Sequence, residues 1–143
     1  MSFTVKLELP SDPQLLGVVR STVEQLARVA GFAEKESRSI TLAVDEAITN
    51  IIRHAYEGRN DQGIELVCRG YPDRLEFLLS DHGRSVDPAE LRGRALGEVR
   101  PGGLGTHIIA KVMDQVRYEP LPNRNQLLLV KYLRQEAAQE SKP

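Results

Sequence analysis

The sequence predicts an α+β fold, a two-layer α/β sandwich whose mostly antiparallel sheet is covered by helices on one face. Three observations carry this expectation. Short stretches alternate apolar and polar residues with a period of two, and longer stretches repeat apolar residues every three or four positions. Strands and helices also come in segregated runs, in the order strand, helix, long helix, two strands, loop, helix, two strands.

Phe3, Val5, Leu7 and Leu9 alternate with Thr4, Lys6 and Glu8, so residues 3–9 read as a strand with one buried face. That strand either joins the sheet or pairs with another copy. Ser11 or Asp12 can cap the next helix, and Pro13 suits its first turn, where a missing N–H costs nothing. Leu15, Leu16, Val19, Val23, Leu26 and Ala30 give a helical stripe that stops at Gly31. A long helix follows, from near Glu34 to near Tyr56, with a charged and solvated first half and a buried stripe of Ile40, Val44, Ile48, Ile51, Ile52 and Ala55. The loop 58–63 carries turn residues.

Residues 64–69 and 74–80 read as two antiparallel strands around the turn 70–73, with Cys68 in phase with Ile64 and Leu66 as a buried structural thiol. Residues 81–105 hold six glycines and two prolines with little apolar periodicity, which marks a functional loop or lid. A short helix opens immediately after Gly105, with Ile108, Ile109, Val112 and Met113 inward. Strands at about 115–119 and 126–133 flank the turn Pro120-Leu121-Pro122-Asn123. Residues 1–135 thus read as one domain, and 136–143 as a frayed tail.

The totals narrow the function classes. A chain of 143 residues, 41% hydrophobic and 27% charged, suits one soluble domain with a sizeable core and argues against disorder. A net charge of −1 provides no basic footprint for nucleic acid. The single cysteine can form neither an internal disulfide nor a zinc cluster, which fits a reduced cytoplasmic setting. No run reaches the roughly 18 apolar residues of a membrane span, and the alternating N-terminus is not a signal peptide.

Polar residues on the long helix stand out first. At about 100° per residue, Glu46, Asn50 and His54 form a stripe that drifts toward the apolar face beside Ala43 and Ala47. A carboxylate and an amide one turn apart suit a metal-bound phosphate, the amide oxygen on Mg²⁺ and the carboxylate on an attacking hydroxyl. The same pair also reads as two exposed helix residues. His54 reads as a packing residue. Asp81-His82-Gly83, at a strand end, can accept a hydrogen bond from an adenine amino group or simply make an Asp-x-Gly turn. Gly102-Gly103-Leu104-Gly105-Thr106 before a helix permits a phosphate nest, although it is neither a Walker loop nor GxGxxG after a strand.

Order and spacing together are more specific. E-x-x-x-N on a long helix, strand-D-x-G, a lid and G-x-G at a helix start resemble the GHKL ATPase/kinase superfamily. The closer resemblance is to the bacterial anti-sigma-factor serine/threonine kinases. DEAITNIIRHAY is similar to their N box, LLSDHGRSVDP to the first glycine box and GGLGTHIIAKVMDQVRY to the second. The likeness runs from the first strand to about Leu133.

The resemblance implies a Bergerat-type sandwich that binds ATP and Mg²⁺. It implies Asn50 as Mg²⁺ ligand, Glu46 as general base and Asp81 as the adenine anchor, with Gly83 against the base. Gly103, Leu104, Gly105 and Thr106 would lie at the phosphates, under a lid of roughly residues 84–104. The implied activity is phosphorylation of an anti-anti-sigma (STAS-domain) partner, with sequestration of a sigma factor and homodimerisation. A non-catalytic, ATP/ADP-gated binding module is the alternative. Two positions depart from the commonest pattern. Ser85 replaces the last glycine of D-x-G-x-G, although Asp81 through Asp87-Pro88 fits the D-x-G-x-x-x-D-P branch. Pro101 stands where some members carry a lid arginine, with Arg100 adjacent.

Overall fold

The computed structural model describes residues 2–85 and 103–134. Most of the expected lid, with Asp87, Pro88, Arg100, Pro101 and Gly102, and the expected frayed tail 136–143 lie outside the described residues. Five strands form one sheet: β1 (Phe3–Pro10), β2 (Gly63–Tyr71), β3 (Arg74–Asp81), β4 (Gln115–Pro120) and β5 (Asn125–Tyr132). Their order is β1-β2-β3-β5-β4, and every neighbouring pair is antiparallel. The first strand therefore joins the sheet, as an edge.

Pairing register explains which side chains face the helices. Leu7, Leu66, Leu79 and Leu127 make one cross-strand row, and Val5, Cys68, Phe77 and Leu129 the next. Cys68, Phe77 and Leu129 have no exposed surface, and burial pushes the Cys68 thiol up to about 12. The thiol is thus an inert core atom. On the other face, Val67 and Val130 are covered but do not belong to the core shared with the helices.

The helices are α1 (Leu16–Ala30), α2 (Glu34–Asn50) and α3 (Gly103–Val112), with α2 packed against both of the others. Asp12 accepts a hydrogen bond from the Gln14 N–H and caps a short 3₁₀ turn, Pro13–Leu15, that leads into α1. Ser11 instead is buried, donating to the Arg59 carbonyl and accepting from the Gln62 N–H. Gly31 ends α1 at φ 109°, a left-handed conformation that L side chains avoid, and its N–H bonds back to Ala27 and Arg28. Ile40, Val44 and Ile48 are fully buried along α2. Each such side chain contributes about 1.5–3 kcal/mol relative to exposure.

Two differences from the sequence reading concern helix ends. The long helix does not stay α-helical to Tyr56: Ile51–Ala55 winds as a π-turn, closed by the Tyr56 N–H on the Ile51 carbonyl at 2.9 Å. That turn buries Ile51, Ile52, Ala55 and Tyr56 together. In addition, α3 starts at Gly103 and not after Gly105, so Gly103–Thr106 are its first turn. First-turn N–H groups make no intrahelical bond, so glycines there disturb little of the ladder. Among the described residues, no helix is long and apolar enough to cross a membrane.

Candidate functional site

The row nearest the sheet's end is Leu9, Ile64, Asp81 and Asn125. Its two polar members face the helices and are buried, Asp81 to 4% exposure and Asn125 to 2%. An inward carboxylate is costly unless hydrogen bonds hold it. Asp81 Oδ1 accepts from Asn125 Nδ2 at 2.9 Å and from the Gly83 N–H at 2.8 Å. Burial pushes the Asp81 carboxyl above its ordinary value, and the Asn125 and Gly83 bonds offset part of that rise. With Oδ1 doubly engaged, Oδ2 is the carboxylate's other acceptor atom.

Asn125 organises the strand-end loop as well. Its Nδ2 also reaches the Gly83 carbonyl at 3.1 Å and the Arg84 carbonyl at 3.4 Å, while its Oδ1 accepts from Ser85 Oγ at 3.1 Å. Ser85, the departure from D-x-G-x-G, thus has a partner that a glycine could not have. The sequence pattern starts the last strand at 126, whereas β5 begins one residue earlier, at Asn125, which is in phase with the inward Leu127 and Leu129.

A second wall is the C-terminal half of α2. Asn50 is 8% exposed, and neither its Oδ1 nor its Nδ2 has a hydrogen-bond partner among the described residues. Leaving such a group buried and unpaired costs about 1–3 kcal/mol, which a protein tolerates where a ligand completes the bonds. Glu46, one turn earlier, is half-buried. Its neighbour Asp45 pairs with Arg20 at 3.0 Å, but Glu46 has no ion pair among the described residues. His54 is half-buried on the π-turn.

Backbone contacts lock the two walls together. The Arg84 N–H donates to the Ala55 carbonyl at 3.0 Å, and the His82 N–H to the Tyr56 hydroxyl at 2.7 Å. Between them Gly83 lies so close to the π-turn that an added Cβ would sit 2.3 Å from the Ala55 oxygen and 2.9 Å from its Cβ. The glycine is required here by helix-to-loop packing, a reason that the sequence reading, which placed Gly83 against a base, did not contain. Gly83→Ala should destabilise the nucleotide-free chain by about 1–3 kcal/mol, read as a lower denaturation midpoint. Gly70→Ala should cost less, because its clash is with the Phe3 ring on the edge strand, a side chain that can turn aside.

The helix α3 packs on α2 as a whole. Its first turn, Gly103, Leu104, Gly105 and Thr106, presents backbone N–H groups and the positive end of the helix dipole, which suit an anion. The strand end bearing Asp81 is thus bonded to the π-turn that continues the helix of Glu46 and Asn50, and α3 packs on that same helix. No group of three or more His, Cys, Asp or Glu able to hold a metal occurs among the described residues. A cation at Asn50 would therefore draw its remaining oxygens from the ligand and water, as Mg²⁺ on phosphates does.

The model of the histidine kinase-like ATPase domain matches residues 9–131. The serine-protein kinase RsbW of Listeria innocua is 31% identical over 146 aligned positions, covering 96% of this chain and 92% of that protein. RsbW of Bacillus pumilus is 29% identical over 125 positions, covering 80% and 77%. A chain of the SiaB-SiaC complex from Pseudomonas aeruginosa superposes with a TM-score of 0.60 at 13% identity, covering 90% of this chain and 89% of that one. The histidine kinase domain of a blue-light activated histidine kinase from Erythrobacter litoralis gives 0.55 at 16%, this chain spanning 64% of its length. At such identities the solved structures speak for the fold alone.

Proposed function

Because the chain belongs to the histidine kinase-like ATPase domain family, we propose that it is an ATP-dependent serine/threonine protein kinase acting as an anti-sigma factor. It phosphorylates an anti-anti-sigma partner of the STAS type in the cytoplasm, sequesters a sigma factor and works as a homodimer. The observation that carries the reading is Asn50, a buried amide with both polar atoms unpaired one helical turn from Glu46.

Each residue then has a physical task. Asp81 Oδ2 accepts from the adenine amino group, held in place by Asn125 and the Gly83 N–H. Asn50 would supply an amide oxygen to Mg²⁺, which when bound would offset the charge of the phosphates. The N–H groups of Gly103–Thr106 hold the phosphate oxygens. Glu46 orients the partner's hydroxyl and takes its proton as the phosphoryl group transfers. Little covalent chemistry is asked of the protein, because phosphoryl transfer rests mainly on positioning and charge.

The test is incubation of the chain with MgATP and a STAS-domain partner, followed by intact-mass analysis. One added phosphoryl group on a partner serine or threonine is expected. Tight ATP binding without transfer to any STAS partner would replace this reading with a nucleotide-gated binding module.

A further inference from the structure

A tyrosine at the end of a buried helix brings a large apolar ring and a hydroxyl that needs partners. Tyr56 is 1% exposed. Its hydroxyl donates to the Gly63 carbonyl at 2.5 Å and accepts from the His82 N–H at 2.7 Å. One oxygen therefore joins the π-turn to the first residue of β2 and to the residue after β3. His82 stands between Asp81, whose carboxylate is the proposed base anchor, and Gly83, which is packed on Ala55. Around this oxygen the chain is tied down further. The Tyr56 carbonyl accepts from the Arg59 N–H at 3.0 Å, and Arg84 Nε lies 3.5 Å from Glu57 across the same junction. The Glu57 backbone lies in the left-handed region at φ 52°, strain that a non-glycine residue bears only where its surroundings hold it.

We propose that the Tyr56 hydroxyl is a positioning residue for nucleotide binding: it sets the distance between the helix bearing Glu46 and Asn50 and the strand end bearing Asp81. This rests on the nucleotide-site reading above. The hydroxyl's two partners are backbone groups of this chain. The hydroxyl acts through His82, whose N–H direction fixes how the Asp81-Gly83 segment leaves the sheet. Removing it leaves the ring packed but the two ends of the site free to drift. Base and Mg²⁺-phosphate contacts then no longer add in one ligand.

The variant that isolates the hydroxyl is Tyr56→Phe. It should raise the ADP dissociation constant and the KM for ATP by about tenfold, the worth of roughly one buried hydrogen bond network, with kcat at saturating ATP within about twofold. A merely structural role would lower the denaturation midpoint and leave this KM-against-kcat split absent. On the native chain, hydrogen exchange of the His82 amide should slow by about tenfold or more on adding MgADP, since both ends of the junction are then held. That second measurement does not depend on the variant folding. Unchanged ADP affinity in a folded Tyr56→Phe, or His82 exchange indifferent to MgADP in a native chain that binds it, overturns the inference and leaves the site reading standing. A native chain that binds no MgADP overturns both.

Discussion

Replacing Glu46 with glutamine is expected to lower phosphoryl transfer to a STAS partner by about 100- to 10,000-fold, the usual worth of a positioned general base. ATP affinity should stay within about twofold, because an uncharged amide of the same shape disturbs neither Asn50 nor Asp81. The expectation follows from how Glu46 sits. It is half-buried one turn before the unpaired Asn50, while the adjacent Asp45 is committed to Arg20. Among the described residues this carboxylate has no ion pair that would give it a structural end. Single-turnover transfer measured beside calorimetric ATP binding separates the two quantities. Loss of binding in parallel with transfer would make Glu46 part of the pocket and not the base.

Asp81→Asn is the second large effect, and its direction is set by donors and acceptors. The amide oxygen can still accept from Asn125 Nδ2 and the Gly83 N–H, so the strand end keeps its form. The atom facing the ligand changes from an acceptor to an N–H donor, which opposes an adenine amino group. Losing a hydrogen bond to a charged group costs about 1.5–3 kcal/mol, so ATP binding should weaken by about 10- to 100-fold. A base with a keto group at that position should lose less.

The same substitution separates function from stability. Burial holds the Asp81 carboxyl above its ordinary value in the folded chain. The folded state therefore binds the proton more tightly than the unfolded one. Stability falls as pH rises from the unfolded to the folded value, and the deficit persists at neutral pH. An uncharged asparagine escapes that deficit. The nucleotide-free variant should thus melt no lower than the native chain at pH 7. Conversely, the native chain's advantage in ATP affinity over the variant should shrink as pH falls through the Asp81 titration. Variant and native chains that bind ATP equally at neutral pH would remove Asp81 from the site.

Much of this arrangement could be read from residue order. Alternation in the first strand and turn signals around the others place all five strands, and the alanines beside Asn50 mark it as lying at the edge of the core, where it is buried. What escaped has physical causes. The π-turn differs from an α-turn by one residue in a single turn, a shift that the apolar pattern of Ile51, Ile52 and Ala55 does not record. Asn125 was missed because polar residues at a strand's start look like turn, and only the pairing with Asp81 makes it part of the site. Gly83 looked like a glycine for a ligand's approach, whereas the nearest atoms belong to Ala55, 28 positions back in the chain but adjacent in the fold. Tyr56 was visible as the end of a helix, but its hydroxyl's two partners lie on other elements.

The central claim is that the unpaired Asn50 amide exists to complete a magnesium–nucleotide site. Asn50→Leu replaces the two polar atoms that lack partners among the described residues with methyl groups on the same branched skeleton, so the nucleotide-free chain should melt at the same temperature or higher, as expected where function is kept at a cost in stability. The decisive measurement is the affinity for ADP with and without Mg²⁺, taken on the native chain and on this variant. The native chain should bind about tenfold or more tightly with Mg²⁺, and Asn50→Leu should lose that difference. A variant that keeps the full Mg²⁺ dependence would contradict the claim.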